Sequence, residues 1–555
     1  MTRYRLAGLR IRASKGADFA DAALLARILG VPQETISSVT LVRRSLDARK
    51  KPDLFYEVAV EFTSADPIAA ALKPPLDLRE APPERGPELL LPPVERKARV
   101  AVVGTGPAGL FAALALVDAG IPVTVLERGD PAEERYRKVM RFWRNGVFDP
   151  ESNVQFGEGG AGTFSDGKLT CGKRHDKIVV VLETLHRFGA PETILFDAKP
   201  HIGTDRLVVL LRNLRQHLVD HGATLRFRSK VVDVKRAGEN GPLSALVLES
   251  GEEVPVDAAI FALGHSARDT IDMLHSRGVA MTAKAFAVGV RIEHPQEAID
   301  KIQLGAPASS CGVMAADYKQ THRAGNGRGI YTFCMCPGGE VIACSSEPAG
   351  VVTNGMSRYK RASGFANAGI VVQTREKDFA SLPGPDLLKG REFQREIESR
   401  AFRVGGESYA APAMRVTDFL KSRRSKAEPR PLPESTYRPN VVPRRFDGIF
   451  PEPYLDALAE GLVAFDKKMR GFISDEALLL APESRTSSPV RLERDGWCES
   501  LTLPGFFPAG EGAGFAGGIV SAALDGLRVA RHVRAKLAGE SIPPEKSVTF
   551  TGPEY

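Results

Sequence analysis

The stretch from residue 98 to 128 limits what this chain can fold into more than any other. It reads ARVAVVG, TGPAGLFAALALVDAG and IPVTVLER, with Gly104, Gly106 and Gly109 in Gly-x-Gly-x-x-Gly spacing. An apolar strand precedes the glycines, a helix opens on them, and a second strand ends in Glu127, 18 residues after Gly109. That order is the context a dinucleotide-binding βαβ turn requires. Gly104 permits the tight turn, Gly106 lets a pyrophosphate approach the backbone, and Gly109 lets the helix lie close on the sheet. Pro107 and Ala108 sit at the helix start, where free N–H groups and a positive partial charge favour phosphate. Glu127 is placed to accept from adenosine ribose hydroxyls, with Arg128 beside it. A carboxylate there repels a 2′-phosphate.

Two later glycine clusters extend the pattern. Residues 157–162 hold four glycines in six positions, within GEGGAGTFSDGKL. Gly159, Gly160, Gly162 and Thr163 expose backbone N–H groups suited to phosphate or flavin carbonyl oxygens, and Lys168 follows as a cation near a flavin. GxxxxGK within this segment is followed by Leu169, where a P-loop needs Ser or Thr for magnesium, so a nucleotide triphosphatase is excluded. Residues 507–519 read FPAGEGAGFAGGI and run into a terminal helix. There Gly510 and Glu511 suit a ribitol chain, and the amides of Gly517, Gly518 and Ile519 suit the flavin pyrimidine edge. Val231, on a predicted strand at 225–236, and Gly264, in GHSARD, complete the candidate cofactor set.

The 555 residues are 43% hydrophobic and 26% charged, which excludes a disordered or fibrous chain. Lys and Arg exceed Asp and Glu by 75 − 68 = 7. That excess does not argue for nucleic acid. The single basic cluster, Arg43 to Lys51, lacks interleaved aromatic platforms. Six cysteines make no disulfide framework and no zinc spacing, although Cys334 and Cys336 form a CxC. None is assigned a redox role, no metal site is expected, and the natural reading is a reducing cytoplasm. The start, MTRYRLAGLRIR, is no signal peptide, and no apolar run is long enough for a membrane span.

The fold class expected is α/β with a discontinuous Rossmann-like domain, an inserted α+β substrate domain and a small N-terminal ferredoxin-like α+β domain. The boundaries are 1–73 for the β-α-β-β unit (helix 18–29), 74–95 for a Pro-rich linker, 96–280 and 496–555 for the dinucleotide domain, and 281–495 for the substrate domain. Strands are expected at 285–293, 330–336 and 340–345, and an extended surface connection at 429–453.

GTGPAGL, the ribose glutamate, GEGGAGTFSDGK, DAAIFALGHSARD and FPAGEGAGFAGGI, taken in order, resemble flavoproteins of the glutathione-reductase-like FAD superfamily. More narrowly, with 351–372 and 483–495, the chain resembles a bacterial family of uncharacterised FAD-dependent dehydrogenases. The resemblance implies one FAD and a hydride or electron-pair transfer between flavin and an unidentified small organic substrate. No second Gly-x-Gly-x-x-Gly follows a strand and no CxxC is present. A separate NAD(P)H domain is therefore not expected, and NAD(P)H would act only as a transient donor. Catalytic residues are unassigned. Glu483, Arg485 and Ser487 are the substrate candidates, with Arg485 placed to bind a carboxylate. Arg358, Lys360 and Arg361 read as surface charges. Two alternatives stay open: an FAD protein that binds or modifies RNA through its N-terminal domain, and a scaffold that holds FAD without catalysis.

Overall fold

A computed structural model describes residues 1–68, 72–82, 91–94, 98–172 and 175–541. The first unit is a four-stranded antiparallel sheet in the order Ile36–Asp47, Phe55–Ser64, Thr2–Arg12, Asp77–Glu80. Its helix is Ala22–Leu29, shorter than the expected 18–29. Asp21 is the cap, its carboxylate accepting from the N–H groups of Ala23 and Leu24. Left-handed Gly30 ends the helix. The reading of 74–95 as a linker needs correction at its start. Residues 77–80 pair with Tyr4–Ala7, and Leu78 covers the apolar face of the sheet. Residues 83–90 and 95–97 lie outside the described set.

Arg44, in the basic cluster, is bound inward. Its guanidinium pairs with Asp197 at 2.7 Å and lies over the rings of Phe19, Tyr56 and Phe196. Its backbone bonds to Phe196 and Ala198 on either side. This arginine joins the N-terminal unit to the rest of the molecule.

Five parallel strands form the next layer: Thr224–Arg226, Val123–Leu126, Val100–Val103, Ala258–Phe261 and Phe506–Pro508. Numbered by their place in the chain, that order is 3-2-1-4-5, and direction reverses between Val100–Val103 and Ala258–Phe261. Ligands of open parallel sheets sit outside the carboxyl ends of the strands at such a reversal. The helix Pro107–Asp118 is buried at every residue from Ala108 to Val117. It lies against the sheet on one side and the C-terminal helix Ile519–Ala538 on the other. Gly526 makes that second approach possible, because a Cβ there would strike the Ala108 carbonyl. Residues 224–261, where a strand is predicted at 225–236, form five short strands. Three of these (Val231–Arg236, Leu243–Leu248, Glu253–Pro255) form a separate antiparallel sheet.

The remaining large unit holds a seven-stranded sheet whose central strands are Gly329–Cys336, Phe365–Gln373, Ala287–Pro295 and Leu478–Glu483. Segment 429–453 is not a surface connection. Tyr437, Phe446, Ile449 and Phe450 are buried, each contributing roughly 2 kcal/mol of apolar burial. Val441–Pro443 adds a parallel strand to Ala411–Ala413. Among the described residues no helix is long and apolar enough to cross a membrane.

Candidate functional site

The three glycine clusters, remote in sequence, meet at the carboxyl ends of adjacent parallel strands. The turn at 104–109 leaves Val100–Val103, GHSARD leaves Ala258–Phe261, and the segment from Ala509 leaves Phe506–Pro508. Glycines let these segments approach closely. Gly160, at φ +60°, lies so close to Gly106 that an added Cβ would come within 3.1 Å of the Gly106 Cα. A Cβ on Gly162 would meet Ile519 at 3.5 Å and Pro107 at 3.9 Å. Gly510 abuts Ala108, and Gly512 abuts the carbonyl of Gly264.

The starts of the helices at Pro107 and Ile519 therefore come together around Gly162. The residues that precede them, Gly106 and Gly518, carry no side chain, and neither helix has a side-chain cap. Uncapped helix N-termini are anion sites. A Cβ on Gly106 would meet nothing nearer than 4.0 Å, and one on Gly517 nothing within 4 Å. These glycines border open space, and FAD, with its pyrophosphate, fits that donor set.

Several predicted ligand residues have other partners. Glu127 accepts four bonds: from the Thr105 N–H (2.9 Å) and hydroxyl (2.7 Å), and from the N–H groups of Gly129 (2.9 Å) and Gly157 (3.0 Å). It ties the first glycine turn to the second. A ribose hydroxyl would have to displace the Thr105 hydroxyl to reach it. Arg128 is bound to Glu151 at 2.7 Å and Asp269 at 2.9 Å, over the ring of Phe156. Gly159 faces Thr163 and Leu211, and the Thr163 hydroxyl bonds to the Glu158 carbonyl. Val231 lies in the same apolar cluster as Leu126. The Lys168 ammonium donates to the carbonyl of Met335, between the two cysteines of the CxC.

Glu483 and Arg485, the substrate candidates, both have charged partners within the protein. Arg485 clasps Glu398 with Nε at 3.0 Å and Nη2 at 2.8 Å. Arg268 holds the same carboxylate at 2.9 Å on both oxygens, and the Ser484 hydroxyl adds a bond at 2.7 Å. Burial opposes the charge, yet Arg268 and Arg485 hold the Glu398 carboxyl well below the usual range. Glu483 pairs with fully buried Arg291, both contacts at 2.9 Å. Ser487 is half-buried and bonds to nothing among the described residues. Arg361 is not a surface charge either, since it pairs with buried Asp166 at 2.8 Å.

Glu511 is half-buried; its carbonyl accepts from the Gly514 N–H at 2.9 Å, and its carboxylate accepts no hydrogen bond among the described residues. Burial pushes its carboxyl up to about 7, against the pull of Lys284, with Cys334 adding to the rise. Burial, then the charges of Arg485 and Arg268, push half-buried His265 down to about 3, which keeps it neutral. The charges of Lys284 and Cys334 both act on the Glu511 carboxyl, and Gly264, the neighbour of His265, abuts Gly512, the neighbour of Glu511.

Sequence reasoning missed Arg135. Its guanidinium is wholly buried and donates to the carbonyls of Asn153 (2.8 Å), Val154 (2.8 Å) and Glu158 (2.6 Å), stapling the second glycine loop. Burial pushes it down to about 10, with Glu127 and Glu158 opposing. A signal existed: Arg135 falls on the stripe Ala132, Val139, Phe142, at helical spacing on the apolar face. The histidines His217 and His221 stack at 3.9 Å, with His217 on Asp118.

Residues 97–140 match the family described as FAD binding domain, residues 285–486 that described as FAD-dependent protein, C-terminal domain-like, and residues 17–63 a domain of unknown function. The chain is 42% identical over 510 residues to an uncharacterized protein of Clostridium beijerinckii, spanning 92% of this chain and 94% of that one. Among solved structures it is similar to a flavoprotein/dehydrogenase from Cytophaga hutchinsonii (12% identity, TM-score 0.35, 82% of each chain). It is similar also to a flavin-dependent brominase (13%, TM-score 0.37, 80% of each chain).

Proposed function

The chain, which carries an FAD binding domain and an FAD-dependent C-terminal domain, belongs to the family of the Clostridium beijerinckii protein, and on that premise we propose that it is an FAD-dependent oxidoreductase acting on a small organic molecule. The observation that carries the proposal is the convergence of two uncapped helix starts and three glycine segments. In this reading residues 96–280 and 496–555 hold the cofactor and residues 281–495 close over its reactive end. Gly104, Gly106, Gly160, Gly162, Gly518 and Ile519 hold the pyrophosphate and the flavin edge, and Glu511 and His265 face the reacting centre. Bound FAD supplies the two-electron chemistry. The protein binds the nucleotide through backbone amides, which cost little reorganisation. Its walls exclude water, and Glu511 is able to hold or release a proton near neutral pH.

The test is purification followed by reconstitution. The expected result is a yellow protein with one FAD per chain, bleached anaerobically by a member of a metabolite panel that includes NADH and NADPH. A colourless chain that takes up no FAD ends the proposal.

A further inference from the structure

The strand Gly329–Cys336 breaks register with its neighbour Phe365–Gln373 between Phe333 and Cys336. Inside that bulge Cys334 is held at φ +43°, a left-handed conformation that a non-glycine residue seldom adopts. Past the bulge the Cys336 thiol lies 3.4 Å from the Cys334 carbonyl. Cys334 is partly accessible, whereas Cys336 is fully buried. Two cations grip the short turn between the thiols. Arg291 donates to the Cys334 carbonyl at 3.2 Å, and Lys168, from the second glycine segment, donates to the Met335 carbonyl. The charge of Cys334 also acts on the Glu511 carboxyl. The CxC is thus tied through Lys168 to the second glycine segment, which the proposed function gives to the flavin.

We propose that Cys334 and Cys336 are a redox-active dithiol that exchanges an electron pair with the flavin and passes it to or from a small dithiol or disulfide substrate at Cys334. The proposal rests on the placement of FAD above. The step balances without another reactant. The Cys334 thiolate and the Cys336 thiol form one S–S bond and the Cys336 S–H bond breaks. The electron pair and that proton leave on the flavin as its reduced anion. An external dithiol then restores the pair by thiol–disulfide exchange and departs as its own disulfide. The electrostatics favour these roles. The neighbouring Cys336 thiol, then Arg291 and Lys168, draw Cys334 toward the thiolate against burial, while Glu483 opposes them; Cys336 is pushed up.

Three measurements decide it. Anaerobic dithionite titration of the oxidised holoprotein is expected to consume four electrons per FAD, falling to two in Cys336→Ser. Dithiothreitol, as the probe dithiol, is expected to bleach the flavin at least tenfold faster in the unmodified protein than in Cys334→Ser. Mass spectrometry after equilibration in glutathione buffers, with or without FAD, is expected to show the peptide carrying both cysteines lighter by two hydrogen atoms. This last readout requires no variant and no cofactor, so it decides the thiol pair even if FAD binding fails. Two electrons per FAD together with six free thiols under oxidising buffer, or a disulfide joining other cysteines, overturns the proposal.

Discussion

Gly106 offers the cleanest test at the scale of single residues. A methyl there meets no protein atom closer than 4.0 Å, so Gly106→Ala folds, but the methyl stands where phosphate must approach. We expect FAD affinity to fall at least tenfold with an unchanged Tm, measured by flavin absorbance and thermal unfolding. Glu158 and Glu511 give a pH test. Burial holds each near 7, Ala132 and Arg215 opposing at Glu158 and Lys284 at Glu511. A folded carboxyl above its unfolded value of 4.5 binds its proton more tightly when folded. Stability is therefore greatest below pH 4.5 for these two groups and falls as pH rises to 7. In Glu511→Gln the fall in Tm between pH 5 and pH 7.5 should be shallower than in the unmodified protein. The glycine turns were legible because their chemistry is local. The roles of Glu127, Arg128 and Arg485 were not, because the partners that occupy them, Thr105, Glu151 and Glu398, come from other elements that spacing does not reveal.

At the scale of elements, the two buried helices and the stapled loop carry the argument. Gly526→Ala pushes a methyl into the Ala108 carbonyl, and backbone cannot give way as a flexible side chain does. We expect a loss of about 1–3 kcal/mol, read by urea unfolding. Arg135→Ala leaves the carbonyls of Asn153, Val154 and Glu158 without that donor. At about 1–3 kcal/mol for each buried group left unpaired, the loop should loosen and be cleaved near residues 153–158 many times faster under limited proteolysis. The two buried helices were readable because a glycine motif opens each of them. Short strands were less so: Asp77–Glu80 hid among prolines because one leucine supplies its burial, and 429–453 hid because its aromatics follow no period.

For the molecule as a whole, the N-terminal unit is docked through Arg44 and Asp197, both about three-quarters buried. A double-mutant cycle with Arg44→Ala and Asp197→Ala should give a coupling of about 1 kcal/mol, and the single variants should release the N-terminal unit earlier on trypsin treatment. The discontinuous parallel sheet has a further consequence. Its fifth strand and the helix start at Ile519 come hundreds of residues after the first glycine turn. During translation, the ribosome must extrude nearly everything up to Ile519 before a nucleotide finds its complete cradle. Until then the oily flank of Ala108–Val117 stays bare, and a stalled nascent chain is a client for chaperones rather than a vessel for its coenzyme.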